Sequence, residues 1–282
     1  MKFLRRFIST LLVLSLSSAI MVVCLDATIL RADFITAKAD QTSIYANLAN
    51  QLTQNLASSG NQAQQAETQQ ALKGVITPDY VKAKLTTYLQ GLEQHFRSGL
   101  PTPTLDLSDL PAKLAAAGIT LPPDDQAKLN SQIDQQTSKS SQVSGLSAVY
   151  HDGTAAKWGL WLAAIILAVI LVLLSPAGRR LTHLAKALVA SAVLLLVYYA
   201  ILRYLPTLVA QKVATSNAAG PLLASVNQLL AKATAGVATV VLRWIIGLAA
   251  LAAALFVAEP ILNHRQRKQE RDRIPLPVSR RE

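Results

Sequence analysis

The stretch WGLWLAAIILAVILVLLSPAG, residues 158–178, contains no charged side chain. A second uncharged run, ALVASAVLLLVYYAIL, occupies residues 187–202, and only the eight residues RRLTHLAK separate the two. Since about 20 helical residues at about 1.5 Å each match a hydrocarbon core of about 30 Å, each run predicts a membrane-spanning helix. The link carries three bases and no acid, which predicts that it lies in the cytoplasm.

The composition of the whole chain is that of an integral membrane protein. The sequence is 51% hydrophobic and 15% charged, whereas soluble domains carry about 25% charged residues. Residues 1–25, 179–186 and 263–282 carry net charges of +3, +3 and +4, while residues 26–157 carry −2. Because bases accumulate on the cytoplasmic side of membrane proteins, this distribution predicts both termini in the cytoplasm and argues against nucleic-acid binding.

The beginning of the chain predicts a first span that is kept as a signal anchor. After a basic start, residues 7–25 are uncharged, and these nineteen residues exceed the roughly 7–15 of a signal-peptide core. A cleaved signal peptide is the alternative, with the small residues at 17–19 as its cleavage site. A lipoprotein site at Cys24 is a further alternative, disfavoured by Val23, since that cleavage needs a small residue before the cysteine.

Residues 26–157 contain no run of spanning length, and their hydrophobic pattern is helical. Apolar residues at steps of three and four predict amphipathic helices over 41–58 and 78–98, the second with Thr77 as N-cap and Pro78 in its first turn. Short helices are predicted near 112–117 and after Pro123. The stretches from Asn61 to Gln70 (a linker or frayed helix) and from Ser138 to Ser147 (a flexible lead) connect these elements.

Residues 211–236 form a second segment on the same side as the helical one. A helix that begins at Gly220-Pro221 carries one apolar stripe, made of Leu222, Leu223, Val226, Leu229 and Leu230. We expect this stripe to dock on the stripes of the 41–58 and 78–98 helices, which need a cover in water, so that one domain forms from two parts of the chain. The alternative is a helix that lies flat in the outer leaflet.

The predicted fold class is an all-α membrane protein with four transmembrane helices and a mainly helical extracytoplasmic domain between helices 1 and 2. The predicted localisation is the cell membrane, multi-pass, with both termini cytoplasmic. The predicted segments are a cytoplasmic start and first transmembrane helix, the signal anchor (1–25); the extracytoplasmic helical domain (26–157); the second transmembrane helix (158–178); the cytoplasmic link (179–186); the third transmembrane helix (187–210); a second extracytoplasmic segment with an amphipathic helix (211–236); the fourth transmembrane helix (237–262); and a basic cytoplasmic tail (263–282) that is too polar to fold.

Residues that catalyse reactions or hold metals do not form a recognisable motif. The four histidines are far apart, and no H-E-x-x-H, G-x-S-x-G or P-loop motif occurs. The pair His151-Asp152 is interpreted as a solvated turn, and Cys24, the only cysteine, allows no intramolecular disulfide. We therefore predict a protein that is not an enzyme, with no cofactor and no catalytic, cofactor-binding or metal-binding residues.

Arginines and tryptophans near the span ends are predicted to lie at the lipid interface. At about 1.5 Å per residue, the two arginines inside the third and fourth spans lie at the level of the outer headgroups. We interpret them as side chains that snorkel to lipid phosphates. The alternative is that the two arginines share an anionic binding site. The interface candidates are Arg203, Arg243, Trp158, Trp161 and Trp244. In the tail, the residues predicted to bind the anionic inner leaflet are Arg265, Arg267, Lys268, Arg271 and Arg273.

Small residues on the fourth span predict a face for helix packing. Gly247, Ala250, Ala254 and Ala258 recur at steps of three and four, a spacing that lets backbones approach closely in lipid.

The segment Thr77-Pro-Asp-Tyr-Val81, followed by Leu105-Asp-Leu-Ser108, resembles uncharacterised bacterial four-pass integral membrane proteins with a large helical extracytoplasmic loop. That resemblance implies the layout given above and no activity. In topology the chain also resembles the permease subunit of a MacB-type ABC transporter, which has an outside domain between its first two spans. Such permeases usually present a cytoplasmic coupling helix before the first span, where this chain has only six residues.

The predicted function is that of a non-enzymatic membrane protein of the cell envelope whose extracytoplasmic domain binds or senses a surface partner. The expected partners are anionic lipids of the inner leaflet and an unknown envelope protein. The alternative is a permease-like subunit of a MacB-type transporter. A transport pathway should show polar side chains at mid-membrane, whereas the middles of these spans are apolar apart from Ser15, Ser17, Ser18 and Ser191.

Overall fold

The computed structural model describes residues 2–58, 65–98, 100, 103–118, 141–176, 178–214 and 220–273, and no strand occurs in these ranges. For residues 2, 56, 58, 65–68, 71, 141–156, 212–214 and 265–273 the description covers the backbone only. The helices in the described ranges are α1 (Lys2–Asp26), α2 (Ala32–Ala39), α3 (Ile44–Ser58), α4 (Gln65–Val75), α5 (Pro78–Ser98), α6 (Leu110–Ala116), α7 (Ser141–Leu174), α8 (Arg180–Ala214) and α9 (Pro221–Arg273).

Four of these helices are long and apolar enough to cross a membrane. The apolar stretches are Phe3–Asp26 of α1, Lys157–Leu174 of α7, Arg180–Gln211 of α8 and Pro221–His264 of α9. The expectation of an all-helical chain with four apolar helices of spanning length is thus confirmed.

Helices α7 and α8 extend beyond the predicted boundaries. Helix α7 already includes residues 141–147, where a flexible lead was expected, and α8 includes 180–186 of the expected link. The connection between them shrinks to the residues around Pro176, a residue type that disfavours helix just before it. Once a long helix exists, each added residue gains a hydrogen bond without a new nucleus, which explains these extensions.

Helix α9 joins the predicted amphipathic helix, fourth span and first half of the tail. The expectation that the tail is too polar to fold is wrong for residues 263–273, which continue the helix. This part is rich in Arg, Gln, Lys and Glu, which have high intrinsic helix propensity, so polarity alone does not end the helix. Residues 274–282 lie outside the described part of the chain.

The chain divides into two compact units. The first, called the span unit here, consists of residues 1–23, 156–200 and 239–282. The second, called the helical domain, consists of residues 24–155 and 201–238. Each unit is described by itself below.

In the span unit, alanines are frequent among the buried residues, while many large apolar side chains are exposed. Buried positions include Ala19, Ala164, Ala185, Ala187 and Ala192, whereas Leu162 is 62% exposed and Leu173 is 69% exposed. Lipid replaces water around such an apolar exterior, and small interior residues let the helices approach closely. This distribution is typical of helices that pack together inside a bilayer.

The face of α9 that packs inside the span unit is not the one predicted. Val241, Leu248, Ala252 and Glu259 are buried, and they recur at steps of seven and four residues. The predicted face is largely exposed, and a Cβ added at Gly247 would meet nothing within 4 Å. Small residues are frequent all around this alanine-rich helix, so their spacing alone could not identify its contact face.

The helical domain has a core built from both predicted amphipathic stripes. Helix α3 packs on α4 and α5, α2 packs on α5, and α4 packs on α6. The buried core consists of Ala39, Ile44, Tyr45, Ala49, Ala57, Leu72, Ile76, Tyr80, Val81, Leu110 and Leu114. Helices α4 and α6 therefore cover much of the two stripes. Residues 65–70 of α4 had been expected to be a linker or frayed helix. The helix expected after Pro123 lies outside the described residues.

Candidate functional site

The second segment of the chain docks on the first at the beginning of α3. Asn47 Nδ2 donates hydrogen bonds to Ser225 Oγ and, at 3.2 Å, to the carbonyl oxygen of Pro221. The hydroxyls of Ser43 and Ser225 lie 3.1 Å apart. Ser225 is buried, so its hydroxyl needs these partners. This polar contact fixes the first turns of α9 on the helical domain.

Further along α9, the docking contact becomes apolar. Leu229 packs against the domain core. At Gly236, an added Cβ would lie 2.6 Å from Cζ of Phe34, so α9 approaches α2 more closely than a side chain would allow. The expected docking of the two segments is confirmed, but the expected stripe is partly wrong, because Val226 is 42% exposed. Ser43, Asn47 and Ser225 were missed because a search for apolar stripes passes over hydroxyl and amide groups.

An acidic cluster holds the end of α5 to the start of α2. Glu93 accepts a hydrogen bond from the backbone N–H of Ala32 at 2.9 Å. Arg97 forms ion pairs with Glu93 at 3.0 Å and with Asp26 at 3.6 Å. Each of these acids has its partner, so the cluster is structural and offers no open site.

Asp109 forms a second polar cluster, between α5 and α6. Its carboxylate accepts a hydrogen bond from the Tyr80 hydroxyl at 2.9 Å and pairs with Lys84 at 2.8 Å and Lys113 at 3.3 Å. Burial acts to raise the pKa of Asp109, but the bonds from Lys84, Tyr80 and Lys113 outweigh it and lower that pKa to about 2. Burial, with the hydrogen bond to Asp109, raises the pKa of Tyr80. The cluster is charged at neutral pH and fully partnered.

The span unit contains a basic cavity of about 510 Å³ between the first turns of α1, the last turns of α7 and the first turns of α8. Its lining residues are Arg5, Arg6, Ser9, Thr10, Leu171, His183 and Lys186. Residues four apart on a helix lie on one face, which is why the two arginines and the two hydroxyl residues of α1 reach the same cavity. Leu171 is buried and supplies an apolar wall.

Among the residues that the structure describes, no acid lines this cavity, and Arg5, Arg6 and Lys186 form no ion pair. The charges close enough to act on the His183 ring are cationic Arg5, Lys186 and Arg179, together with anionic Glu259. The cavity is therefore a strongly positive environment with free donors.

Glu259 is buried and accepts hydrogen bonds from Thr182 of α8. Its Oε2 accepts hydrogen bonds from both the backbone N–H, at 2.8 Å, and the hydroxyl of Thr182. Close by, Asn263 Nδ2 donates to the carbonyl oxygen of Gly178 at 3.0 Å. Glu259 thus joins the end of the fourth span to the start of the third, and it does not line the cavity.

The predicted lipid-interface residues are only partly brought together. The rings of Trp161 and Trp244 lie with their centroids 6.3 Å apart, whereas Trp158 is 75% exposed. Arg243 is exposed in the span unit, and Arg203 is exposed in the helical domain. Their depth in a membrane stays a prediction. The five tail bases fall on the last turns of α9, in the range where the backbone alone is described.

Metal-ligating side chains do not cluster in the part of the chain that the structure describes. Among those residues, no group of three or more His, Cys, Asp or Glu side chains could hold a metal ion. His95 is buried, and its Nδ1 lies in hydrogen-bonding contact with the carbonyl oxygen of Leu100. The backbone of His151 and Asp152 lies inside α7, so the turn expected there is wrong, and their side chains lie outside the described part.

The basic cavity is the feature that the sequence analysis did not identify. Its arginines and Lys186 were recognised only as orientation charge, although the four-span layout already placed residues 1–25 and 179–186 on one side. Which of those bases share a cavity depends on the rotation of each helix about its axis. No family model, curated protein or solved structure matches this chain, so the site is interpreted from its own residues.

Proposed function

We propose that this chain is a non-enzymatic, multi-pass protein of the cell membrane whose helical domain lies outside the cytoplasm and binds or senses an envelope partner. The observation that carries the proposal is the composite helical domain. Two segments far apart in sequence, within 24–118 and 221–238, pack into one unit through Asn47, Ser225 and Leu229. Such a folded domain on apolar helices is suited to presenting a defined surface beside the membrane.

The orientation is supported by the end of the span unit at which the basic residues meet. Arg5, Arg6 and His183 line one cavity, and Asn263 contacts Gly178 near the same helix ends. The beginning of the chain, the short link and the end of the fourth span therefore share one end, and bases at such an end favour the cytoplasmic side. The tail bases would then face anionic lipids of the inner leaflet.

The interior of the span unit gives little support to a permease-like role. The buried hydroxyls of Ser17 and Ser191 donate to backbone carbonyls one turn earlier in their own helices, those of Val13 and Ala187. Ser15 donates to the carbonyl oxygen of Leu160 at 2.9 Å. These groups are satisfied within the protein, and they do not form the polar track that a substrate pathway needs.

Affinity purification of the full-length chain from its own membrane tests the proposal. A membrane-impermeant cross-linker is applied to intact cells in one sample and to inside-out vesicles in a matched control. We expect an envelope protein to be recovered only from the intact cells, because the proposed binding surface is outside. Recovery of an ATPase from the inside-out vesicles, in stoichiometric amount, would replace this function with the permease-like one.

A further inference from the structure

We propose that the basic cavity between α1, α7 and α8 binds a phosphate group. The inference concerns the span unit alone and does not depend on the partner of the helical domain. Its evidence is a cavity of about 510 Å³ that is lined by Arg5, Arg6 and Lys186, with no acid among the lining residues that the structure describes. Ligand pockets usually enclose about 300–1,000 Å³, so the space suits a phosphorylated group of small size.

The donor set matches the geometry of phosphate. Each arginine presents a planar fork of N–H donors that can pair with two phosphate oxygens, while Lys186 adds a compact point charge. Ser9 and Thr10 add hydroxyls, although the Thr10 hydroxyl already donates to the carbonyl oxygen of Arg6 at 3.1 Å. Several positive charges and several donors favour an anion with more than two acceptor oxygens over a simple carboxylate.

The surroundings leave the cations accessible to a ligand. Leu171 supplies an apolar wall, while the side chains of Arg6 and Lys186 are exposed. Glu259, the acid that acts on His183, does not line the cavity. Like charges that share one cavity repel each other, and a bound anion removes that repulsion.

Two sources can supply such a group: the headgroup of an anionic phospholipid or free phosphate. The test uses full-length protein purified in dodecyl maltoside, a detergent without phosphate. In one arm, phosphatidylglycerol is added and the lipid retained per protein is counted by native mass spectrometry. In the other arm, inorganic phosphate is titrated calorimetrically at constant ionic strength. Saturable binding in the first arm identifies a lipid headgroup, and binding in the second identifies free phosphate.

The variant that removes the site is Arg5→Gln with Lys186→Gln. Loss of two charged contacts should weaken binding about tenfold or more in whichever arm binds. The matched control is Arg180→Gln, an exposed arginine at the start of α8 that does not line the cavity. Arg180→Gln should bind as the wild type does, because it changes charge at the same end without touching the cavity.

Ser9→Glu provides a second variant if the double variant does not fold. It leaves every cation in place and adds a carboxylate to the lining, so the same loss of binding is expected. The proposal is overturned if the wild type binds in neither arm. It is equally overturned if Arg180→Gln weakens binding as much as the cavity variants do, or if the cavity variants bind as tightly as the wild type.

Discussion

At the scale of single residues, Asp109 shows how a carboxylate can hold two helices together. It is partnered by Tyr80 and Lys84 of α5 and by Lys113 of α6, and Lys113 also lies 4.5 Å from the centre of the Tyr80 ring. These partners favour the ionised form in the folded protein, so folding and ionisation are linked.

The pH dependence of α6 follows from that linkage. Because the folded pKa of Asp109, about 2, lies below its ordinary value of 3.8, its stabilisation is present above about pH 4 and is lost as the pH falls towards 2. Asp109→Asn should destabilise the α5–α6 contact at pH 7 by about 1 kcal/mol, a figure reduced for solvent screening of a partly exposed group.

Hydrogen exchange of residues 110–116 in the full-length protein measures this effect. Exchange should be faster in Asp109→Asn than in the wild type at pH 7, and the difference should shrink as the pH falls from 4 to 2. Asp106→Asn is the matched control, since Asp106 is exposed and bonds only Ser108 among the contacts described. A difference that is constant with pH would show that the charge of Asp109 does not stabilise this contact.

At the scale of elements, the docking of α9 on α3 joins parts of the chain that are 178 residues apart at Asn47 and Ser225. We expect Ser43→Cys and Ser225→Cys, combined in a Cys24→Ser background, to form a disulfide under mild oxidation. The two hydroxyls lie 3.1 Å apart, so the sulfur atoms that replace them are within reach of a bond. Peptide mass spectrometry after proteolysis detects the link.

The control pair for this experiment is Ser43→Cys with Val226→Cys. Val226 follows Ser225 directly but is 42% exposed, since the next residue of a helix points about 100° away. The control should remain reduced under the same conditions. Equal cross-linking of both pairs, or of neither, would contradict the docking geometry described above.

The same elements show what the sequence could and could not predict. The four apolar helices were predictable because a long uncharged run is visible in the order of the residues alone. The stripes that begin at Ile44 and Val81 were predictable for a similar reason, since helical spacing fixes which residues share a face. The sequence did not predict that α4 and α6 cover those stripes, because this contact depends on tertiary packing. The contact face of α9 at Leu248 and the cavity around His183 depend on helix rotation, which spacing alone does not specify.

At the scale of the whole molecule, the chain combines apolar helices with a folded helical domain. The span unit exposes large apolar side chains such as Leu162 and Leu173, while the helical domain buries its own apolar core. In water the first surface would be unfavourable, whereas in a bilayer it is matched by lipid. The two units therefore suit two different solvents, and we propose that the basic end of the span unit faces the cytoplasm.

Cysteine labelling on intact cells is the most direct test of the proposed membrane topology. In a Cys24→Ser background, one variant carries Thr87→Cys on α5 and another carries Arg180→Cys at the start of α8, and both positions are exposed. A membrane-impermeant maleimide should label Thr87→Cys on intact cells and should label Arg180→Cys only after the cells are permeabilised. Labelling of Arg180→Cys on intact cells, with Thr87→Cys protected until permeabilisation, would contradict the proposed topology.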